Sequence, residues 1–220
     1  MSISDIILKL IEKRRINVKK NLPGDLGKFY RDGGIDNILN FININDNSKV
    51  LDAGAYRGEF ADEILKKFGS HLILYEPLES EFNYLKKKYQ YNLKVELQNL
   101  AISNTNNYKF LTVDNNNSSI SDVKINKSIK IKCENVIDIF DKLKSIDLIK
   151  MNIEGSEYEI LNEIIKKNYL TKCKYYLIQF HHKNNKNLIR NKEIIENEFS
   201  KMNFKKIFNY NYVWEVWELK

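Results

Sequence analysis

From Lys49 onward the chain alternates short apolar runs with amphipathic helical patterns, and that alternation leaves few folds open. It is the sequence signature of βαβ units, so it predicts an α/β protein with a largely parallel sheet. KVLDAG (49–54) reads as strand one and GEFADEILKKF (58–68) as its helix. HLILYE (71–76) is strand two, SEFNYLKKKY (80–89) its helix, and KVELQNLAI (94–102) a third strand leading to an edge region. Residues 107–113 and 127–133 alternate enough for an inserted hairpin. NVIDIFDKL (135–143) is a short helix, SIDLIKMNI (145–153) strand four, GSEYEILNEIIKKN (155–168) a helix and KYYLIQFHH (174–182) strand five. KEIIENEFSKM (192–202) is a helix, and FKKIFNY (204–210) with YVWEVWEL (212–219) predicts a closing hairpin that turns at Asn209 to Asn211.

Residues 1–47 read as a helical lead-in rather than a separate domain. Ile3, Ile6, Ile7, Leu10 and Ile11 follow helical spacing, a turn falls at Leu22-Pro23-Gly24-Asp25, and a second amphipathic run covers Gly34 to Ile44. The remaining residues, 48–220, carry the α/β pattern, and 220 residues suit one domain overall. Cys133 and Cys173 form no CxxC or Cys/His pattern, so no disulfide framework and no metal site is expected. No apolar run is long enough to span a membrane and no cleavage site follows the first helix, which predicts a cytoplasmic chain. The formal charge of +7 lies in scattered lysine clusters that read as solvated helix faces. No basic stripe is interleaved with aromatics, so nucleic acid is not the expected partner.

The strongest local signal is VLDAGAYRGEF (50–60), an apolar strand, a turn holding Gly54 and Gly58, and an amphipathic helix. Glycines there let the backbone turn tightly and approach a ligand, with amide groups aimed from a helix start. Strand two ends at Glu76, the residue type and position that accept hydrogen bonds from ribose hydroxyls. The spacing departs from GxGxxG, which favours S-adenosylmethionine, a nucleoside without phosphates, over a dinucleotide.

Taken together, VLDAGAYRGEF, LILYEPLESEFNYLKKK, LQNLAIS and DLIKMNIEGSEYEIL resemble the FkbM-type methyltransferase family, over roughly Val50 to His182. The resemblance implies a Rossmann-like class I methyltransferase fold, with a seven-stranded, mostly parallel sheet and an antiparallel last strand. It also implies an S-adenosylmethionine-dependent O-methylation of a small-molecule or saccharide acceptor, a carbohydrate-modification type of activity. By position, Asp52, Gly54, Ala55 and Gly58 would surround the cofactor, Glu76 would hold its ribose, and Asn99, Leu100 and Ala101 would flank the adenine. Lys150, Glu154, Gly155 and Glu157 match the family's second motif, on the acceptor side. Asn152 stands where the family usually has Asp, and Gln179-Phe180-His181 where it usually has Glu-x-His, so two carboxylates are missing.

Methyl transfer to an alcohol needs alignment and a proton acceptor. The candidates are His181, Glu154 and His182, with His181 first because imidazole titrates near neutral pH. The histidines also read as an ordinary strand end, and Glu154 as a helix cap. Lys150, in an apolar strand, implies either a buried ion pair with Glu154, Glu157 or Asp52, or a substrate anion. With the two lost carboxylates, Lys150 makes an ionised or phosphorylated acceptor conceivable, and a neutral sugar equally so. Asn152, Ser118, Ser119, His182 and Tyr30 are candidate acceptor contacts. Two further readings stay open: a noncatalytic Rossmann-type cofactor-binding subunit, and an RNA or protein methyltransferase.

Overall fold

The computed structural model describes residues 17–112, 119–121, 124, 128–181, 185–210 and 213–220, with the side chain of Ser119 excepted. The proposed first helix, together with Ser118 and His182, therefore lies outside the described residues.

Seven strands form the main sheet: β1 (Lys49–Ala53), β2 (His71–Tyr75), β3 (Val95–Gln98), β8 (Ile146–Met151), β9 (Cys173–Ile178), β10 (Phe204–Tyr210) and β11 (Trp214–Leu219). Their spatial order is β10-β11-β9-β8-β1-β2-β3. Neighbours from β9 to β3 are parallel, whereas β11 runs antiparallel to both β9 and β10. This is the α/β Rossmann-like arrangement expected from the sequence, its last strand antiparallel and inserted one place in from the edge. From β1 the chain goes outward to β2 and β3, then returns to the opposite side with β8, so the sheet's switch point lies between β1 and β8. Ligands of open α/β sheets bind outside the carboxyl ends of the strands at such a point.

The helices are α1 (Gly24–Arg31), α2 (Gly34–Leu39), α3 (Glu59–Lys67), α4 (Glu79–Lys88), α5 (Val136–Leu143), α6 (Glu157–Lys166) and α7 (Lys186–Lys201). In α3, Glu59 and Asp62 occupy the first turn and Lys66 and Lys67 the last, matching the helix dipole at both ends. Gly69 at φ 64° closes that helix by donating to Ile64 O at 3.2 Å. Two apolar cores flank the sheet. Phe140, Tyr158, Ile164, Tyr176 and Phe199 lie on the face of α5, α6 and α7, while Phe29, Ile38, Phe60, Ile64 and Leu85 lie on the face of α1 to α4. Trp214 and Trp217 are buried on opposite faces, as core residues.

Three sequence patterns needed correction, one of them the helix read at 192–202, which already begins at Lys186. The third run breaks after Gln98: Ala101–Ser103 forms β4 of a second sheet, ordered β4-β7-β5-β6 with β5 (Tyr108–Thr112), β6 (Ser119–Ser121) and β7 (Ser128–Asn135). The inserted hairpin is thus part of a four-stranded layer. The second lead-in helix ends at Leu39 and not at Ile44, because Ile42 and Ile44 are buried on an extended segment, with a period of two.

Candidate functional site

After β1, the backbone amides of Gly54 and Ala55 both donate to Tyr75 O, at 3.1 and 3.0 Å, tying the turn to the end of β2. Gly54 has φ 78°, and a Cβ there would collide with the carbonyl oxygen of Asn152. Gly58, at φ 75°, leads into α3, and a Cβ on it would collide with the Tyr89 hydroxyl. That hydroxyl lies 2.9 Å from Gly58 O and 2.7 Å from Asp62 Oδ1, with its one proton to share between the two acceptors. Both glycines are therefore required by backbone conformation and by close approach.

Glu76 is buried at the end of β2, where it accepts the Tyr56 amide on Oε2 at 2.8 Å and the Leu78 amide on Oε1 at 2.9 Å. Burial pushes its carboxyl above the usual range, and the two amides oppose that shift. A carboxylate has about four acceptor sites, so two amides leave capacity for ribose hydroxyls. Asn99 donates through Nδ2 to Glu76 O at 2.9 Å and to Pro77 O at 3.3 Å. Leu100 is partly buried and Ala101 is buried in β4, so the three residues mark the junction between the two sheets.

Lys150 lies opposite Asp52 in the β1–β8 register. Its ammonium donates to Asp52 Oδ1 at 2.8 Å and to Gly54 O at 2.8 Å, with the side chain only 6% exposed. Lys150 is thus bound to the cofactor turn, with Asp52 rather than Glu154 or Glu157 as its counter-charge. Burial raises the Asp52 carboxyl, and the Lys150 ammonium pulls in the opposite direction. Asp52 Oδ2 and Asn152 Oδ1 are buried and have no partner among the described residues. Buried acceptors of this kind call for an explanation, and a ligand that brings N–H or O–H donors to the edge of β1 and β8 supplies one. S-adenosylmethionine carries an α-ammonium and ribose hydroxyls, so the donor set required by Asp52, Asn152 and Glu76 fits it.

The turn after β8 places Glu154 at φ 56° and Gly155 at φ 105°, both left-handed. Glu154 is exposed and caps nothing. The N-cap position is Ser156, whose side chain makes no cap bond; Glu157, which is fully buried, instead ties down the turn before the helix, accepting Ile153 N on Oε1 at 3.0 Å and Gly155 N on Oε2 at 2.8 Å. His181, just past β9, places Nδ1 2.7 Å from Glu157 Oε1 and Nε2 3.8 Å from Glu154 Oε2. The sequence marked Glu157 as a motif position and as a possible partner of Lys150; that it folds back on the turn follows from the left-handed pair Glu154 and Gly155, which the sequence does not announce. Beside this edge a cavity of about 280 Å³ is bounded by Ile178, Phe180, Lys192, Trp214 and Glu215. The Tyr30 ring lies 5.1 Å from the Lys19 ammonium, which pairs with Glu59 at the start of α3.

The profile of the methyltransferase FkbM domain matches residues 52–210. No curated protein matches the chain. Among solved structures, a fibrillarin pre-rRNA processing protein from Methanococcus jannaschii aligns at 14% identity and TM-score 0.49, over 84% of this chain and 73% of that one. An rRNA methylase from Streptococcus thermophilus aligns at 11% and 0.47, over 84% and 94%. TrmK from M. capricolum, solved with S-adenosyl-homocysteine, aligns at 12% and 0.44, over 84% and 65%.

Proposed function

The chain belongs to the FkbM methyltransferase family, and from that premise we propose that it O-methylates a small-molecule or saccharide acceptor, with His181 taking the hydroxyl proton. S-adenosylmethionine supplies an activated methyl group on a sulfonium. The work left to the protein is to bind the cofactor, align the acceptor and remove a proton. In this reading Glu76 holds the ribose, the Gly54–Gly58 turn admits the cofactor, and Asn152 hydrogen-bonds at the end of β8. The observation that carries the reading is His181 on the same carboxyl edge, its Nδ1 held by a buried carboxylate at 2.7 Å. That arrangement is what a general base requires and an ordinary strand end does not.

The acceptor we favour is neutral. An anionic acceptor would need a cation at the crevice, and the Lys150 ammonium is already engaged by Asp52 and Gly54 O. The Lys192 ammonium at the neighbouring cavity is likewise engaged, by Glu196 and Glu215, and the amides at Asn152 and Gln179 carry no charge of their own.

Methyl release on a panel of neutral and phosphorylated hydroxyl acceptors, alongside calorimetric binding of adenosylhomocysteine, tests this. Turnover is expected on a neutral hydroxyl, and His181→Ala is expected to lower it about 100-fold with cofactor affinity unchanged. Binding without turnover on any acceptor would point instead to a noncatalytic cofactor-binding protein. Preference for a phosphorylated acceptor would overturn the neutral assignment.

A further inference from the structure

We infer that Glu157 is the positioning residue of the proton-transfer step: it fixes His181 as the Nδ1–H tautomer and so gives Nε2 the ring's lone pair. The inference rests on His181 being the base.

The geometry leaves Glu157 few alternatives. Its side chain is fully buried, and its two oxygens already accept Ile153 N and Gly155 N at 3.0 and 2.8 Å. Toward His181 it is therefore an acceptor, and the proton between Oε1 and Nδ1, 2.7 Å apart, belongs to the nitrogen. A neutral imidazole has one N–H, so Nε2 is the nitrogen able to take a proton. When it does, the ring becomes a cation between Glu157 and Glu154, the latter 3.8 Å from Nε2. Glu157 lies in the first turn of α6, where the helix dipole favours negative charge. The carboxylates missing at Asn152 and Gln179 are consequently not needed for this step.

Glu157 also holds the left-handed turn of Glu154 and Gly155, so one side chain sets both the loop and the ring. A merely structural carboxylate would anchor the turn and leave the tautomer free. The tautomer is thus the discriminating readout, and it requires no acceptor.

Long-range proton–nitrogen NMR on protein labelled at its three histidines, assigned with His181→Gln, reads it directly. The expected result is a protonated Nδ1 and a bare Nε2 in the neutral ring. Finding Nε2–H in the wild type would overturn the inference. In Glu157→Gln the amide keeps an oxygen for only one of Ile153 N and Gly155 N; with the oxygen on Gly155 N its N–H faces Nδ1, and the ring is expected to switch to Nε2–H. Turnover is then expected to fall by about 10⁴-fold, the scale of the same carboxylate-to-amide change in a catalytic triad. If Glu157→Gln does not fold, the wild-type spectrum alone decides. The base reading fails separately, through a His181→Ala variant with undiminished turnover.

Discussion

Replacing Lys150 with methionine probes the centre of the proposed cofactor site, because it keeps the aliphatic stem and removes only the charge. Asp52 would be left fully buried, with no other cation within ion-pair distance among the described residues. Breaking one partner of a buried pair costs about 3–5 kcal/mol, most of it from the charge left behind. For a domain of this size that corresponds to a loss of roughly 10 °C in Tm. Removing the residual charge with Asp52→Asn in the Lys150→Met background should recover a large part of the loss. The pH dependence has a definite sign. Burial raises the Asp52 carboxyl in the folded state and Lys150 opposes it, so without Lys150 the folded protein binds that proton more tightly than the unfolded chain does. Stability of Lys150→Met should then fall as pH rises from the ordinary carboxylate range through the raised value, and more steeply than in the wild type. Urea unfolding across a pH series measures both effects. A loss under about 1 kcal/mol, or a double variant less stable than Lys150→Met, would refute the reasoning.

Glu76→Gln should weaken adenosylhomocysteine binding by about 10- to 100-fold, the scale of a hydrogen bond to a charged group. Because burial raises the Glu76 carboxyl and ribose donors favour its ionised form, wild-type affinity should decline on acidification earlier than an ordinary glutamate would cause. Calorimetry at several pH values checks this, and Glu76→Gln should remove that component. Gly54→Ala should destabilise the fold by more than about 1 kcal/mol even without cofactor, since the added Cβ meets the Asn152 carbonyl oxygen in a left-handed backbone. A variant of wild-type stability that merely loses cofactor affinity would show that the glycine serves the ligand alone.

Elements defined by their own periodicity were legible in the sequence. The strands at 49–53, 71–75 and 146–151 lie within the apolar runs that predicted them, and so does the glycine turn between β1 and α3, while the strand at 173–178 begins one residue before its run and stops four residues short of its end. What escaped was decided by partners distant in the chain. Nothing local at Asn99 and Leu100 says that the strand must leave one sheet for another; the break follows from Ala101 pairing with Cys133. Ile42 and Ile44 continue an apolar pattern that a helix or a strand satisfies equally over so few residues. At the site, Lys150 in an apolar strand announced a partner, and only the β1–β8 register identified it as Asp52. Glu154 and Glu157 are chemically alike in sequence, and the left-handed turn between β8 and α6 is what sends one to solvent and the other inward.

The β1–β8 pairing also has a kinetic meaning. Asp52 and Lys150 are 98 positions apart, with β2, β3 and the whole second sheet between them. Closing a flexible loop of that length costs about 4 kcal/mol of chain entropy, and non-local parallel pairings of this kind slow folding. The crevice proposed for the cofactor is therefore expected to form late in folding. Growth of adenosylhomocysteine binding during refolding should lag behind helix formation and coincide with burial of the central strands.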